Sequence, residues 1–358
     1  MRDRLMTWSY RIRHQANRLS GFVRFYLTVV VLSSPFAVAQ QPNSHQRKLD
    51  RIQRWVASKD PTVREQAVRE AALFLPADQA RPILLQALKD PAPQVRAVAA
   101  WQLKDHRVPG VAEALLSLLQ DENDRVRAAA VWALSGNAGR RYLKQIMQLS
   151  REDPSGVVRF RAVWGLGLIG DRTALPVVIE ALGDYNNAVR DRAAVIALET
   201  LADAKIVSHL LTQTNNVLPA SRRIVMYLLG KYGDRDRPTA IAALMKGLQD
   251  PDARVRGQAA LALGRLKANQ ARAALEAASH DSDDHVRGAA THALGLIGDT
   301  AALPAVRARL RDEAAFVRAI AAEALNRLGD HTVQPPEEFR AEELFTYPIH
   351  TPEHQDLF

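Results

Sequence analysis

The densest group of side chains able to hold a metal ion is His280, Asp281, Asp283, Asp284 and His285, with His292 one to two turns further along the chain. Imidazole nitrogens and carboxylates this close together can bind a divalent cation. Acidic residues just before a helix also accept hydrogen bonds from its first free N–H groups, and this capping role is the stronger explanation. No metal is therefore expected. The sequence has no GxxxxGK or GxGxxG phosphate loop, no HExxH and no GxSxG. With no cysteine there is no thiolate nucleophile, disulfide or cysteine-based metal site. Neither catalytic residues nor a cofactor are expected.

The remaining candidate chemistry is recognition by aromatic rings. Trp101, Trp132 and Trp164 occur at the same offset in "VRAVAAWQL", "VRAAAVWALSG" and "VRFRAVWGL". The element that positions them is a repeat, because an arginine that usually follows valine recurs as Arg64, Arg96, Arg127, Arg159, Arg190, Arg222, Arg256, Arg287 and Arg318. The intervals are 32, 31, 32, 31, 32, 34, 31 and 31 residues. Each copy reads as two helices. In the second, a valine, an alanine four residues on and a leucine after four more share one stripe, as in Val126, Ala130 and Leu134. Asp60-Pro61, Asp90-Pro91, Asp153-Pro154 and Asp250-Pro251 are expected to give an N-cap oxygen and a preset first turn. Helix pairs this short cannot enclose their own apolar faces, so neighbours must stack. The predicted fold is all-α, an α-solenoid of about nine helix pairs.

The phrase D-x-x-x-x-VR-x-x-A-x-x-A-L-G-x-I-G-D, best matched by Asp281 to Asp299, resembles the HEAT-like repeat of the phycobilisome lyase type. That resemblance covers about residues 51–330 and implies a right-handed superhelix whose second helices line the concave surface. It also implies a ladder between adjacent copies, in which Arg64, Arg96, Arg127, Arg159, Arg190, Arg256, Arg287 and Arg318 pair with aspartates. The sixth copy departs from the pattern, with Ser221 in place of valine and "TNNVLPASRR" in place of the usual turn, and looser stacking is expected there.

At 100° per residue the core positions of the second helix average about 285° from the arginine, whereas the tryptophans, five residues after it, lie at about 140°. This fifth position reads Arg69, Trp101, Trp132, Trp164, Val195, Tyr227, Leu261, His292 and Glu323 along the stack. Phe160 adds a ring, and Gly167, Gly230, Gly264 and Gly295, eight residues after their arginines, are expected to leave room around the rings. Two readings compete. The rings can lean sideways and seal the joints between copies, as most aromatics at helical spacing serve packing. Alternatively, neighbouring helices about 8–10 Å apart would hold the rings beyond mutual contact and leave slots between them. The second reading predicts a concave partner site of Trp101, Trp132, Trp164, Phe160 and Tyr227. A polyproline-type segment, at about 3.1 Å per residue, would place every third side chain in a slot. The partner is then a protein or an extended peptide.

Two enzyme types resemble these repeats. Phycobilin lyases act in the cytoplasm, and deoxyhypusine hydroxylase holds iron on His-Glu dyads, whereas none of the ten histidines here is followed by glutamate. Neither activity is expected.

Residues 1–24 carry six arginines against one aspartate and precede an apolar run from Phe25 to Ala39 that ends in "AVA". This is the order of a secretory signal with cleavage before Gln40, and the run is short of the roughly 20 residues of a membrane span. An uncleaved N-terminal anchor is the alternative and the only basis for membrane contact. Export, with a bacterial periplasm as destination, is expected. The full chain is +9, but the part after Ala39 has 42 basic and 38 acidic residues. Near-neutral charge and tryptophans along the groove argue against nucleic acid as a partner. The expected organisation is a signal peptide over 1–39, a linker over 40–50, the solenoid over 51–330 and a tail or cap over 331–358. In that last stretch Phe339, Leu344, Phe345 and Tyr347 could fold back over the final repeat.

Overall fold

The computed structural model describes residues 42–105, 110–137, 139–335 and 339–345. The expected leader and its cleavage site lie outside them, as does Tyr347. Every regular element among the described residues is helical, with no strand, so the fold is an all-α solenoid. None of these helices is long and apolar enough to cross a membrane. The chain divides into two compact units, the first ending at Ala87 and the second starting at Leu88.

The first unit holds α1 (Pro42–Val56), α2 (Pro61–Phe74) and α3 (Ala77–Ala87). Residues 42–50 were expected to form a linker, but they are the opening turns of α1. Proline suits a helix start, and after Pro42 no breaker interrupts "NSHQRKLDRI". Ile52, Val68, Ala71 and Leu84 make the core of this unit. Trp55 lies in α1 but stays half-buried, with the Arg51 guanidinium 5.0 Å from its ring.

In the second unit, first and second helices alternate. They are α4 (Pro93–Gln102); α5 (Val111–Ser117) and α6 (Asp124–Asn137); α7 (Leu143–Glu152) and α8 (Gly156–Ile169); α9 (Leu175–Glu180) and α10 (Ala194–Leu201); α11 (Ile206–Leu211) and α12 (Pro219–Tyr232); α13 (Arg237–Gly247) and α14 (Ala253–Arg265); α15 (Arg272–Ala278) and α16 (Asp284–Ile297); α17 (Leu303–Ala308) and α18 (Ala315–Arg327). A last short turn, α19, covers Ala341–Leu344. The predicted stripe is the core, since Val126, Ala130 and Leu134 are fully buried.

The arginine ladder is present in this unit. Arg96, Arg127, Arg159, Arg256 and Arg287 each bind the aspartate of the next copy through two nitrogens at 2.7–2.9 Å, on Asp121, Asp153, Asp184, Asp281 and Asp312. Each guanidinium also donates to the carbonyl six residues before it, as Arg127 does to Asp121 at 2.8 Å. Arg64 and Arg318 make the same contact with Ser58 and Asp312. The Arg256 guanidinium holds the Asp281 carboxyl below its ordinary pKa, and Arg287 does the same to Asp312.

Two expectations about this ladder need correction. Of the aspartates in the Asp-Pro pairs, only Asp60 is an N-cap, accepting from Thr62 N–H at 2.8 Å. Asp90, Asp153 and Asp250 lie two residues ahead of the caps Ala92, Ser155 and Asp252, whose N–H groups donate to them. The Asp153 carboxylate also accepts from Arg127 of the preceding copy through both oxygens, one of them shared with the Ser155 N–H. Arg190 is also not a rung, and the break lies at the joint into the sixth copy, within the stretch where looser stacking was expected. Arg222 of the divergent sixth copy binds Asp250 at 2.7 and 2.8 Å, whereas Arg190 turns to its own neighbour Asp191 at 2.7 Å. Asn216 stands where the receiving aspartate should be, and it keeps the same turn contact, accepting from Leu218 N–H, without a carboxylate to offer.

The chain before α10 is wound as a π-turn over Ala188–Ala193, which inserts one residue into the helix. Downstream positions shift by one. Val195 is therefore buried, and Ile196 takes its place in the tryptophan row. The position-eight glycines do not make room around rings. A Cβ at Gly264 would lie 2.7 Å from Ala293 Cα, and those at Gly230 and Gly295 would lie 2.8 Å from the Cβ atoms of Ala262 and Ala324. They let successive second helices touch backbone to backbone. Gly167 meets Ala197 instead, one position later than in the other copies, as the inserted residue requires.

Candidate partner-binding face

Trp101 at the end of α4, Trp132 on α6 and Trp164 on α8 fall on one face, and Tyr227, Leu261, His292 and Glu323 continue the row on α12, α14, α16 and α18. The rings are not separated by slots. Trp101 and Trp132 stack with centroids 5.5 Å apart and planes 18° apart, and Trp132 meets Trp164 edge-on at 6.2 Å. Phe160 packs edge-on against Trp164 at 5.3 Å. Ring spacing is shorter than helix spacing because long side chains lean along the stack and close the expected slots. Trp132 is 7% exposed and Phe160 is 2% exposed, so both belong to the interior of the cluster. Trp101, Trp164 and Tyr227 are half-buried and keep an accessible edge.

Two cations complete the cluster. Lys104 Nζ sits 4.4 Å from the centre of the Trp132 ring. The Arg161 guanidinium, itself 5% exposed, lies 5.1 Å from Trp101, 5.4 Å from Trp132 and 5.7 Å from Phe160. Burial lowers the Arg161 pKa to about 10, which leaves it charged at neutral pH. Its charge rests against the negative faces of the rings. Sequence reasoning missed both cations. The sequence signal was an arginine, two residues after Arg159, in an otherwise apolar run.

At the other end of the row the C-terminal segment folds back. Ala341, fully buried, donates its N–H to Glu323 Oε2 at 2.9 Å. Glu342 binds Arg327 at 2.9 Å, and the Phe345 ring lies 5.6 Å from that of His292. A Cβ at Gly288 would come within 3.6 Å of the same phenyl ring. The expected fold-back of Phe345 thus occurs, but along the face of the tryptophan row, and Leu344 stays 54% exposed. Burial, and secondarily the charge of Arg327, push the His292 pKa down to about 4 and keep the ring neutral. Beside this segment lies a pocket of about 490 Å³ lined by Tyr227, Leu261, Arg265, Lys267, His292 and Phe345 among others.

The histidine-aspartate group is dispersed among other roles. Asp281 receives Arg256, Asp283 caps Val286 N–H and His280 meets Arg309. Asp283, Asp284 and His285 remain close enough to share an ion, but His285 is exposed and already bonded to Asp284 at 2.8 Å. His292 is part of the tail contact.

Among solved structures, the karyopherin Kap121p bound to the extreme C-terminus of the phosphatase Cdc14p aligns with a TM-score of 0.60 at 15% identity, covering 79% of this chain and 38% of that one. Kap121p bound to Pho4p aligns equally, at 14% identity and with the same coverage. The chain therefore spans well under half the length of these structures, and the likeness shows the fold. Human deoxyhypusine hydroxylase reaches a TM-score of only 0.32 at 21% identity, covering 80% of this chain and 97% of that one. No curated protein sequence matches the chain. The profile of HEAT repeats matches residues 49–135, 143–217, 207–295 and 272–336. With these stretches, the arginine-aspartate rungs and the alternating helix pairs in agreement, the chain belongs to the HEAT-repeat family.

Proposed function

We propose that this protein is an exported, non-catalytic scaffold that binds a protein partner through the face carrying the tryptophan row. One observation carries the reading: the half-buried edges of Trp101, Trp164 and Tyr227 share that face with Leu168, which is 51% exposed one turn beyond Trp164. Aromatic and aliphatic groups left accessible on a rigid wall are the composition of interface hot spots. Trp132, Phe160 and Arg161 act as the stiff backing that fixes those edges. Kap121p, of the same fold, is seen with the extreme C-terminus of Cdc14p and with Pho4p, which favours a protein ligand. The repeat phrase resembles the phycobilisome lyase type of HEAT-like repeat, and we read that resemblance as one of repeat structure and not of lyase chemistry. Export rests on the order of residues 1–39, and N-terminal sequencing of the exported protein should begin at Gln40. The binding reading is tested by affinity capture with wild type and Leu168→Glu. A protein held by wild type and lost from the variant supports it, and capture indifferent to this charge refutes it.

A further inference from the structure

The repeat places the same pair of groups on this face twice. In the first, Tyr227 of α12 has the Arg265 guanidinium of the following copy 5.5 Å from its ring. In the second, Arg327 of the following copy is near enough to His292 of α16 for its charge to add to burial in lowering the imidazole pKa. Tyr227 and His292 both lie five residues after their ladder arginines, and Arg265 and Arg327 both lie nine after theirs. The second pair is covered by the chain itself, with Phe345 on His292 and Glu342 on Arg327. The first pair borders the 490 Å³ pocket.

That pocket is cationic on the side formed by the repeats. Among the described residues its charged lining from the solenoid is Arg265 and Lys267, His292 is neutral, and the one carboxylate, Glu342, comes from the tail. Lys267 has φ +46, the left-handed conformation. Eleven residues after other ladder arginines the same position holds Gly170, Gly298 and Gly329, with φ +67, +78 and +86. Lysine is more strained than glycine in this conformation, and its side chain lends a second cation to the pocket.

We propose that the pocket between Tyr227 and Phe345 binds an acidic segment of a partner protein with a glutamate three residues before an aromatic, and that residues 339–345 are an intramolecular example of the same contact. The glutamate meets Arg265 as Glu342 meets Arg327, and the aromatic ring covers Tyr227 as Phe345 covers His292. This inference rests on the reading of the tryptophan face as a protein-binding surface and specifies the chemistry at its far end.

The test is titration of a labelled peptide with the sequence of residues 339–345 (FRAEELF) into the full chain, followed by ligand NMR to about 5 mM, the range of effective concentrations for short tethers. Wild type should bind one peptide, and the Glu342→Ala/Phe345→Ala variant should bind two. Arg265→Glu should weaken binding to wild type at least tenfold, and Lys267→Gly, which suits the backbone there, should weaken it several-fold without harming the fold. No binding to either form, one peptide bound by both, indifference to Arg265→Glu, or equal binding of the charge-reversed peptide FRAKKLF would each overturn the proposal. Peptide binding that fails while capture still depends on Leu168 removes this inference alone. Peptide binding that persists while capture ignores Leu168 removes the broader reading alone.

Discussion

Replacing Trp132 by alanine tests whether the ring cluster is interior or surface. The side chain is 7% exposed, and an indole buries about 200 Å², worth about 5 kcal/mol at roughly 25 cal/mol per Å². Contacts with Trp101 and Trp164 add about 1 kcal/mol each. Against this, Trp132 Nε1 is buried with no acceptor, an unsatisfied donor that costs about 1–3 kcal/mol and is relieved on truncation. With partial collapse of the cavity, the net loss should be about 3–5 kcal/mol. Trp132→Phe drops the orphaned N–H and keeps much of the ring area, and should cost about 1–2 kcal/mol. Urea unfolding followed by circular dichroism and tryptophan fluorescence reads both, the second probe being local because repeat arrays can unfold in blocks. A Trp132→Ala variant within about 1 kcal/mol of wild type, or a phenylalanine as harmful as the alanine, would refute the placement of this ring in the interior.

Gly264→Ala should cost about 1–3 kcal/mol, because the new methyl meets Ala293 Cα at 2.7 Å, whereas the same change at Gly257, with no neighbour closer than 3.9 Å, should be neutral or stabilising in the same unfolding assay. Arg127→Ala should cost about 3 kcal/mol by leaving the buried Asp153 carboxylate without its guanidinium, while partner capture by the folded fraction is unchanged. Acid should act in two steps. His292 has its pKa lowered to about 4 from 6.5, so its contribution is complete above pH 6.5 and is lost as pH falls toward 4, in the company of Arg327, Glu323 and Glu342. The lowered carboxyls of Asp281 and Asp312 contribute above the ordinary aspartate value and lose that contribution as pH falls below it. Urea midpoints of wild type and His292→Gln should therefore diverge between pH 6.5 and 4 and run parallel below.

The period, the helix pairs and the core stripe were legible because the arginine recurs nine times and the 3.6-residue helix makes the stripe unambiguous in most copies. Side-chain lean was not. The angle of 140° correctly put Trp132 on the face away from the core stripe, yet a row of rings on that face buries itself. The role of Asp153 was half legible: its place before a helix was visible and its pairing with an arginine of the adjacent copy was implied by the family resemblance, but not its two-residue distance from the cap. The π-turn went unread although it left a mark, since Ala197-Leu198 follow Arg190 by seven and eight residues where Ala133-Leu134 follow Arg127 by six and seven. The partner of Phe345 was likewise hidden, because nothing in a tail sequence says which wall of the repeats it will lie on.

The joint between α10 and α12 lacks its guanidinium rung at the helix starts, yet at the opposite ends Lys231 binds Glu199 at 3.0 Å and Arg235 donates to the Asp203 carbonyl at 2.6 Å. Plates tied along one edge only can swing about that edge. Under load, strain in this stack would concentrate at the untied side, and the spring constant of the unit would be set there rather than by its mean repeat. Restoring the missing tie with Asn216→Asp, which offers Arg190 a carboxylate, would stiffen the spring at its softest coil.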